Sequence, residues 1–213
     1  MALSKVNFNS LNLTPTASKT VVFNSNNNGI EAGDVGGAMT LISTQTASSS
    51  STIDFTSGID STYDVYCFKY YNIHPSTDGT HFQVNFRDGG SSFDATKTTS
   101  FFRTHAAEAD NEAILGYRAD SDLAQSTSAQ RLGIFVGNDN DQNCCGEMHL
   151  YNPSSTTFVK HFIARTSNTY YVDYMQDEFI AGYCNVTAAI DGVQFSFSTG
   201  NIDDGIIKMY GVA

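Results

Sequence analysis

The sequence predicts an all-β fold: an antiparallel jelly-roll-like β-sandwich with an extended N-terminal arm. Three observations carry the prediction. Short runs alternate with period two, most clearly where Phe82, Val84 and Phe86 are interleaved with Gln83, Asn85 and Arg87. Clusters of Gly, Asn, Asp and Ser separate the runs at short intervals. Long amphipathic stretches of helical period are missing, so βαβ units are not expected.

Taken in order, residues 1–38 differ from the rest. They are rich in Asn, Gly and Thr, only KTVVFNS reads as a strand, and Gly36-Gly37 closes the segment. This is the expected arm, 1–38, and residues 39–213 are the expected sandwich. AMTLIST opens the sandwich, a serine run reads as a turn, and TIDF follows. STYDVYCFKYYNIHP is dense in aromatic residues and stops at Pro75. THFQVNFRDGG then runs into Asp88-Gly89, a hairpin signal, with SFDATKTTSFFRTH as the returning strand. AAEADNEAIL is the one tolerable helix candidate, and it reads equally as a loop leading into AILGYRAD. RLGIFVGN, GEMHLYNP, TTFVKHFIART and DEFIAGYCN continue the strand rhythm. The chain closes on DGVQFSFSTG and GIIKMYGV, which read as a hairpin whose last strand is covered on both faces. About ten to twelve short strands follow from this pattern.

Composition narrows the function classes. Charged residues are only 15% of the chain, with Ser, Thr, Asn and Gly in their place. Such a neutral polar surface suits β-rich exported, capsid-like or sugar-binding proteins. The net charge of -11 and scattered basic residues argue against a nucleic-acid partner. No stretch approaches the ~20 apolar residues that span a bilayer, so no membrane insertion is expected. MALSKVNFNS lacks the apolar run of a secretory leader, so synthesis in a reducing cytoplasm is expected. Cys67, Cys144, Cys145 and Cys184 then read as free thiols packed as small hydrophobes.

Chemistry-bearing motifs are few. Asp139, Asp141 and Asn143 have the alternating oxygen spacing of a calcium loop. The pattern then fails, with Cys144 where glycine is needed and Leu150 where the bidentate glutamate belongs. This leaves a weak calcium candidate in a polar loop, and neither a metal nor a cofactor is expected. The five histidines form no HExxH or HxH pair. Nucleophile-elbow, P-loop and GxGxxG patterns are absent. A glycosidase carboxylate pair stays open in principle, but glutamates are sparse and there is no Trp to stack a sugar. Tyrosine is the enriched aromatic: Tyr70, Tyr71, Tyr170, Tyr171, Tyr174 and Tyr183 are candidates for a glycan or subunit surface, or for core and sheet packing.

STYDVYCFKYYNIHPSTDGTHFQVNFRDGG, DLAQSTSAQRLG, GNDNDQ, GEMHLYNPSSTTFVKHFIA and AGYCNVTAAIDGVQFSFSTGNIDDGIIKMYGV lie across the sandwich. On these segments the chain resembles a family of virion structural proteins of tailed bacteriophages, of the marine and cyanobacterial type. The closing GNI-D-G-x-I-x-x-YG pattern is the most specific part. FNSNNNGIEAGDVGG is similar to segments near the N-termini of tail-fibre-like proteins. The resemblance implies a non-enzymatic virion protein with no catalytic residue to assign. It implies a homo-oligomer, a trimer among the expected states, with residues 1–38 attaching to other virion proteins. Two roles follow: a tail-fibre or tail-associated protein binding host-surface polysaccharide, or a capsid decoration (cement) protein clamping capsomers. A carbohydrate-active enzyme is the rival from another class.

Overall fold

The structure, a computed structural model, describes residues 20–23, 30–33 and 39–212. The chain divides into two units, Met1–Ala38 and Met39–Ala213. In the first, β1 (Thr20–Phe23) and β2 (Ile30–Gly33) pair antiparallel, from Thr20↔Gly33 to Phe23↔Ile30. The segment expected to be an extended arm with one strand therefore holds a short hairpin, because Ile30 and its neighbours supply a second edge. The remainder of 1–38 lies outside the described residues.

The second unit is all antiparallel β. Its strands are β3 (Met39–Ser50), β4 (Thr52–Phe55), β5 (Val65–Pro75), β6 (Thr80–Arg87), β7 (Lys97–Ala107) and β8 (Ala113–Tyr117). There follow β9 (Gln130–Val136), β10 (Cys144–Tyr151), β11 (Lys160–Tyr170), β12 (Tyr174–Cys184), β13 (Gly192–Phe197) and β14 (Ile202–Val212). One layer has the order β4-β13-β6-β9, the other β3-β14-β5-β10-β11-β12-β7-β8. The layers join where β11 meets β9 at Tyr170↔Val136. At the opposite end β3 and β4 belong to different layers yet are separated by Ser51 alone. The sheet thus curls back on itself into a nearly closed sandwich, which leaves few open edges.

Alternation does the layering. Phe82, Val84 and Phe86 of β6, and Val193, Phe195 and Phe197 of β13, are buried. They meet rings from the other layer: Phe195 lies 5.7 Å from Phe68 and 6.3 Å from Tyr70, and Phe86 lies 4.9 Å from Phe162. Sequence reading named these faces correctly because period two survives whatever the partner strand is. The four cysteines are free, and burial pushes the Cys67 thiol up to about 11 and Cys184 up to about 12.

Four local expectations are corrected. The serine run is not a turn: β3 continues to Ser50, with Ser49 at a positive φ of 49° just before the bend. AAEADNEAIL is no helix but the β7–β8 turn plus the start of β8. Asp88-Gly89 does not close a hairpin, since β6 pairs with β13 and β9 while β7 pairs with β12 and β8. Nor do the last two strands form one: β13 pairs with β4 and β6, and β14 with β3 and β5. In both places the turn residues carry the chain from one layer to the other. The last strand is internal, as its apolar run implied, but Ile206 on its outer side stays exposed.

His81 illustrates the price of part-burying a polar group on the outer side of β6. Its Nδ1 accepts the Phe135 amide at 3.0 Å, and its ring packs on Phe135. Burial, reinforced by the Arg131 charge, lowers its pKa from 6.5 to about 4. A depressed folded-state pKa means stability is full above 6.5 and falls as pH drops towards about 4. Melting curves over that range are expected to show a steeper loss for the wild type than for His81→Gln. Parallel curves would exclude His81 as the source.

Candidate functional site

The outer face of the eight-stranded layer carries a trough. Its wide end is a depression of about 480 Å³ walled by Lys69 and Tyr71 of β5, Cys145 and Glu147 of β10, Arg165 of β11, and Met175 and Asp177 of β12. A smaller hollow shares Cys145, Ser167 and Met175 with it and adds Asn143. Asn143 in turn borders a polar depression of about 400 Å³ with Asn72, His74, Asn140, Gln142, Asp203 and Asp204. The middle hollow thus has walls in common with each of the other two, and the three lie in a row.

The backbone makes this trough. Three adjacent strands, β14, β5 and β10, lose register at the same height. Pairing shifts between Cys144 and Gly146 on β10, and on both sides of Asp204 on β14. Asn72 takes φ 51°, and its amide donates to Cys145 Sγ at 3.3 Å. Gly205 is required opposite: φ is 131°, and a Cβ there would lie 2.9 Å from the Asn72 carbonyl oxygen. Bulges re-aim side chains, which is why they recur beside binding sites.

Charges line the wide end in pairs. Lys69 Nζ is 3.5 Å from Glu147, and Arg165 grips Asp177 through two hydrogen bonds of 2.9 and 2.6 Å. Arg165 also lies over the Phe179 ring at 4.9 Å, and Lys208 over Tyr71 at 5.9 Å. At the polar end His74 contacts the Asp139 carbonyl and Asp203, and Ser49 donates to Asp203. Asp204 accepts the Gly205 amide at 2.7 Å and keeps a second oxygen for a ligand. Carboxylates, amides, a half-exposed tyrosine and two cations in one trough suit a polyhydroxylated ligand. The oxygens accept hydroxyl protons, the amides donate, and a ring offers its apolar face.

The expected tyrosines divide among four places. Tyr71, 40% exposed, is in the trough. Tyr70 is in the core, its hydroxyl 2.6 Å from Thr166 Oγ1 and its ring against Phe82, so it is corrected from a surface candidate to a packing residue. Period two puts these two neighbours on opposite faces of β5, Tyr70 in phase with buried Tyr66 and Phe68, Tyr71 in phase with Lys69. Tyr170, Tyr171 and Tyr174 come together at the β11–β12 turn, with Tyr170 4.7 Å from Tyr171 and 5.6 Å from Tyr174. Tyr183 packs near His161 on the outer face.

Asp139 closes a turn with Gln142, its carbonyl accepting the Gln142 amide at 2.8 Å, while Asn143 faces the trough. Among the described residues, no group of three or more His, Cys, Asp or Glu is placed to hold a metal ion. Sequence reasoning missed Asn72, His74, Asp203 and Asp204. They come from β5 and β14, and only the strand order makes them neighbours; the Asp-Asp-Gly of β14 was the visible trace, read as a turn.

A second polar cluster lies inside the sandwich. Arg103 and Glu178 face each other in register on β7 and β12, and Arg103 hydrogen-bonds Gln176. Burial holds the Glu178 carboxyl well above the usual range, although it accepts the Ile134 amide.

No protein-family model, curated protein or solved structure matches this chain. The site is therefore read on its own geometry.

Proposed function

We propose that this chain is a non-enzymatic protein of the exterior of a tailed-phage virion, tail-associated, that binds host-surface polysaccharide in the β5–β10–β14 trough. The observation that carries the binding part is the row of adjoining depressions, with Tyr71 at one end and Asn72, Asn143, Asp203 and Asp204 at the other. The sequence resemblance supports the virion part, with residues 1–38 as the attachment element and copies of the chain as neighbours. Virion localisation follows from that reading. Titration of host polysaccharide onto the full chain is expected to give saturable binding. Tyr71→Ala should weaken it by roughly two- to tenfold, the loss of one ring contact of about 0.5–1.5 kcal/mol. Unchanged binding in both Tyr71→Ala and Asp204→Ala would remove the trough from the reading. Deleting residues 1–38 should abolish virion incorporation; normal incorporation would remove the attachment role.

The capsid decoration reading is favoured by a different feature, the apolar outer face on which Leu41, Phe102, Ile163 and Ile206 are exposed. Copy number per virion separates the two: dozens or fewer for the tail, hundreds for the head.

A further inference from the structure

The eight-stranded layer ends in β3, which pairs only with β14, and in β8, Ala-Ile-Leu-Gly-Tyr, which pairs only with β7. The side chains of β8 are unusually bare, with Leu115 72% and Tyr117 57% exposed. Edge strands are normally blunted by lysine, proline or a bulge. β8 has none of these; a charge stands just outside each end instead, Glu112 and Arg118.

Which backbone groups are free follows from the ladder. The Ala107 amide donates to the Glu112 carbonyl at 2.9 Å, and the Arg118 amide to the Phe101 carbonyl at 2.8 Å. Alternation then turns the backbone groups of residues 112, 114, 116 and 118 towards β7. Those of Ala113, Leu115 and Tyr117 point away from it, and among the described residues no backbone partner reaches them on that side.

We propose that this edge pairs antiparallel with β8 of a second copy, about a two-fold axis at Leu115. One register satisfies every open group: Leu115 opposite Leu115 of the second copy, and Ala113 opposite Tyr117 on either side. Each of these pairs exchanges two hydrogen bonds. A shift by two residues leaves an end of the edge unmatched. The same register sets Glu112 opposite Arg118 at both ends, so opposite charges meet and no like charges face each other within the strand. It also sets Ile114 opposite Gly116, a large residue against a bare position. Both charges are already held within their own chain. Glu112 contacts His105 and accepts from Tyr174, and Arg118 grips Asp120 at 2.7 Å. On the outer face the stacked pair Phe102–Phe179, with Tyr117 next in register, would continue into the second copy. The two-fold is isologous, the commonest form of closed assembly. The proposal does not depend on the glycan or virion reading.

Sedimentation of the full chain at micromolar concentration is expected to show a dimer. Leu115→Lys puts two ammonium groups on the axis and should give a folded monomer whose melting temperature, unlike that of the wild type, does not depend on protein concentration. Leu115→Cys should form a disulfide-linked dimer under mild oxidation, because a residue on the axis faces itself within disulfide reach. Ile114→Cys, opposite Gly116, should not. A wild-type monomer, or any oligomer that survives Leu115→Lys, overturns the proposal; a surviving trimer would do so while leaving the virion reading intact.

Discussion

Replacing Phe195 with alanine is expected to destabilise the sandwich by about 4 kcal/mol, among the larger costs of a single core truncation. Phe195 has no exposed surface, and its ring touches four others: Phe55, Phe68, Tyr70 and Phe82. Phe55 and Phe82 belong to its own layer, Phe68 and Tyr70 to the other. The cavity left behind is therefore bounded by both layers. Neither layer can move in to fill it without disturbing its own ladder, so the cavity term adds to the lost transfer energy. For a unit of this size the melting temperature should fall by roughly 10 °C. Phe195→Leu, which fills most of the space, should cost under about 1.5 kcal/mol. Equal melting points for the alanine variant and the wild type would show that the two layers are not locked through this ring.

Lys160→Met is expected to be the next most damaging change, at about 3 kcal/mol. Lys160 is fully buried on β11, and its ammonium donates to the carbonyls of Ser155 at 3.1 Å, Val186 at 2.8 Å and Ala188. These carbonyls belong to two loops, one before β11 and one after β12, so a single cation ties both. Burial lowers its pKa, the mark of a desolvation cost. Methionine keeps the stem and removes that cost, but it leaves three carbonyls without their donor. The net loss is therefore smaller than the sum of three unmet groups. Amide exchange should quicken in residues 152–159 and 185–191 more than in the strands. Uniform exchange across the unit would mean that Lys160 supports the core and not the loops.

Only one of these two residues was legible beforehand. Phe195 sits in a clean alternation, so its burial could be read directly. Lys160 could not: it opens a run in which every second residue is buried, and a lysine at the buried phase looks like the end of a strand. Its burial depends on carbonyls from loops far along the chain. The trough divides in the same way. Tyr71 was nameable as an aromatic of interest, and the alternation that separates it from Tyr70 was present in YCFKYY. Strand alternation sends one outward and the other into the core, Tyr70 in phase with Tyr66 and Phe68 and Tyr71 in phase with Lys69. Asp203 and Asp204 were read as a turn because acidic residues beside glycine usually are one.

By itself, the sequence determined the class of the fold, the inward faces of β6 and β13, and the lack of long helices. These depend on period two and on composition, which act within a few residues. Only the tertiary structure decided which strands are partners. A Gly- or Asp-rich turn reverses the chain equally well into a hairpin or across to the facing layer, so FSFSTGNIDDGIIKMYGV was consistent with both. The choice rests on which neighbours bury Phe195 and Ile207 together with strands distant in sequence. The bulges, the trough and the open β8 edge exist only once that choice is made.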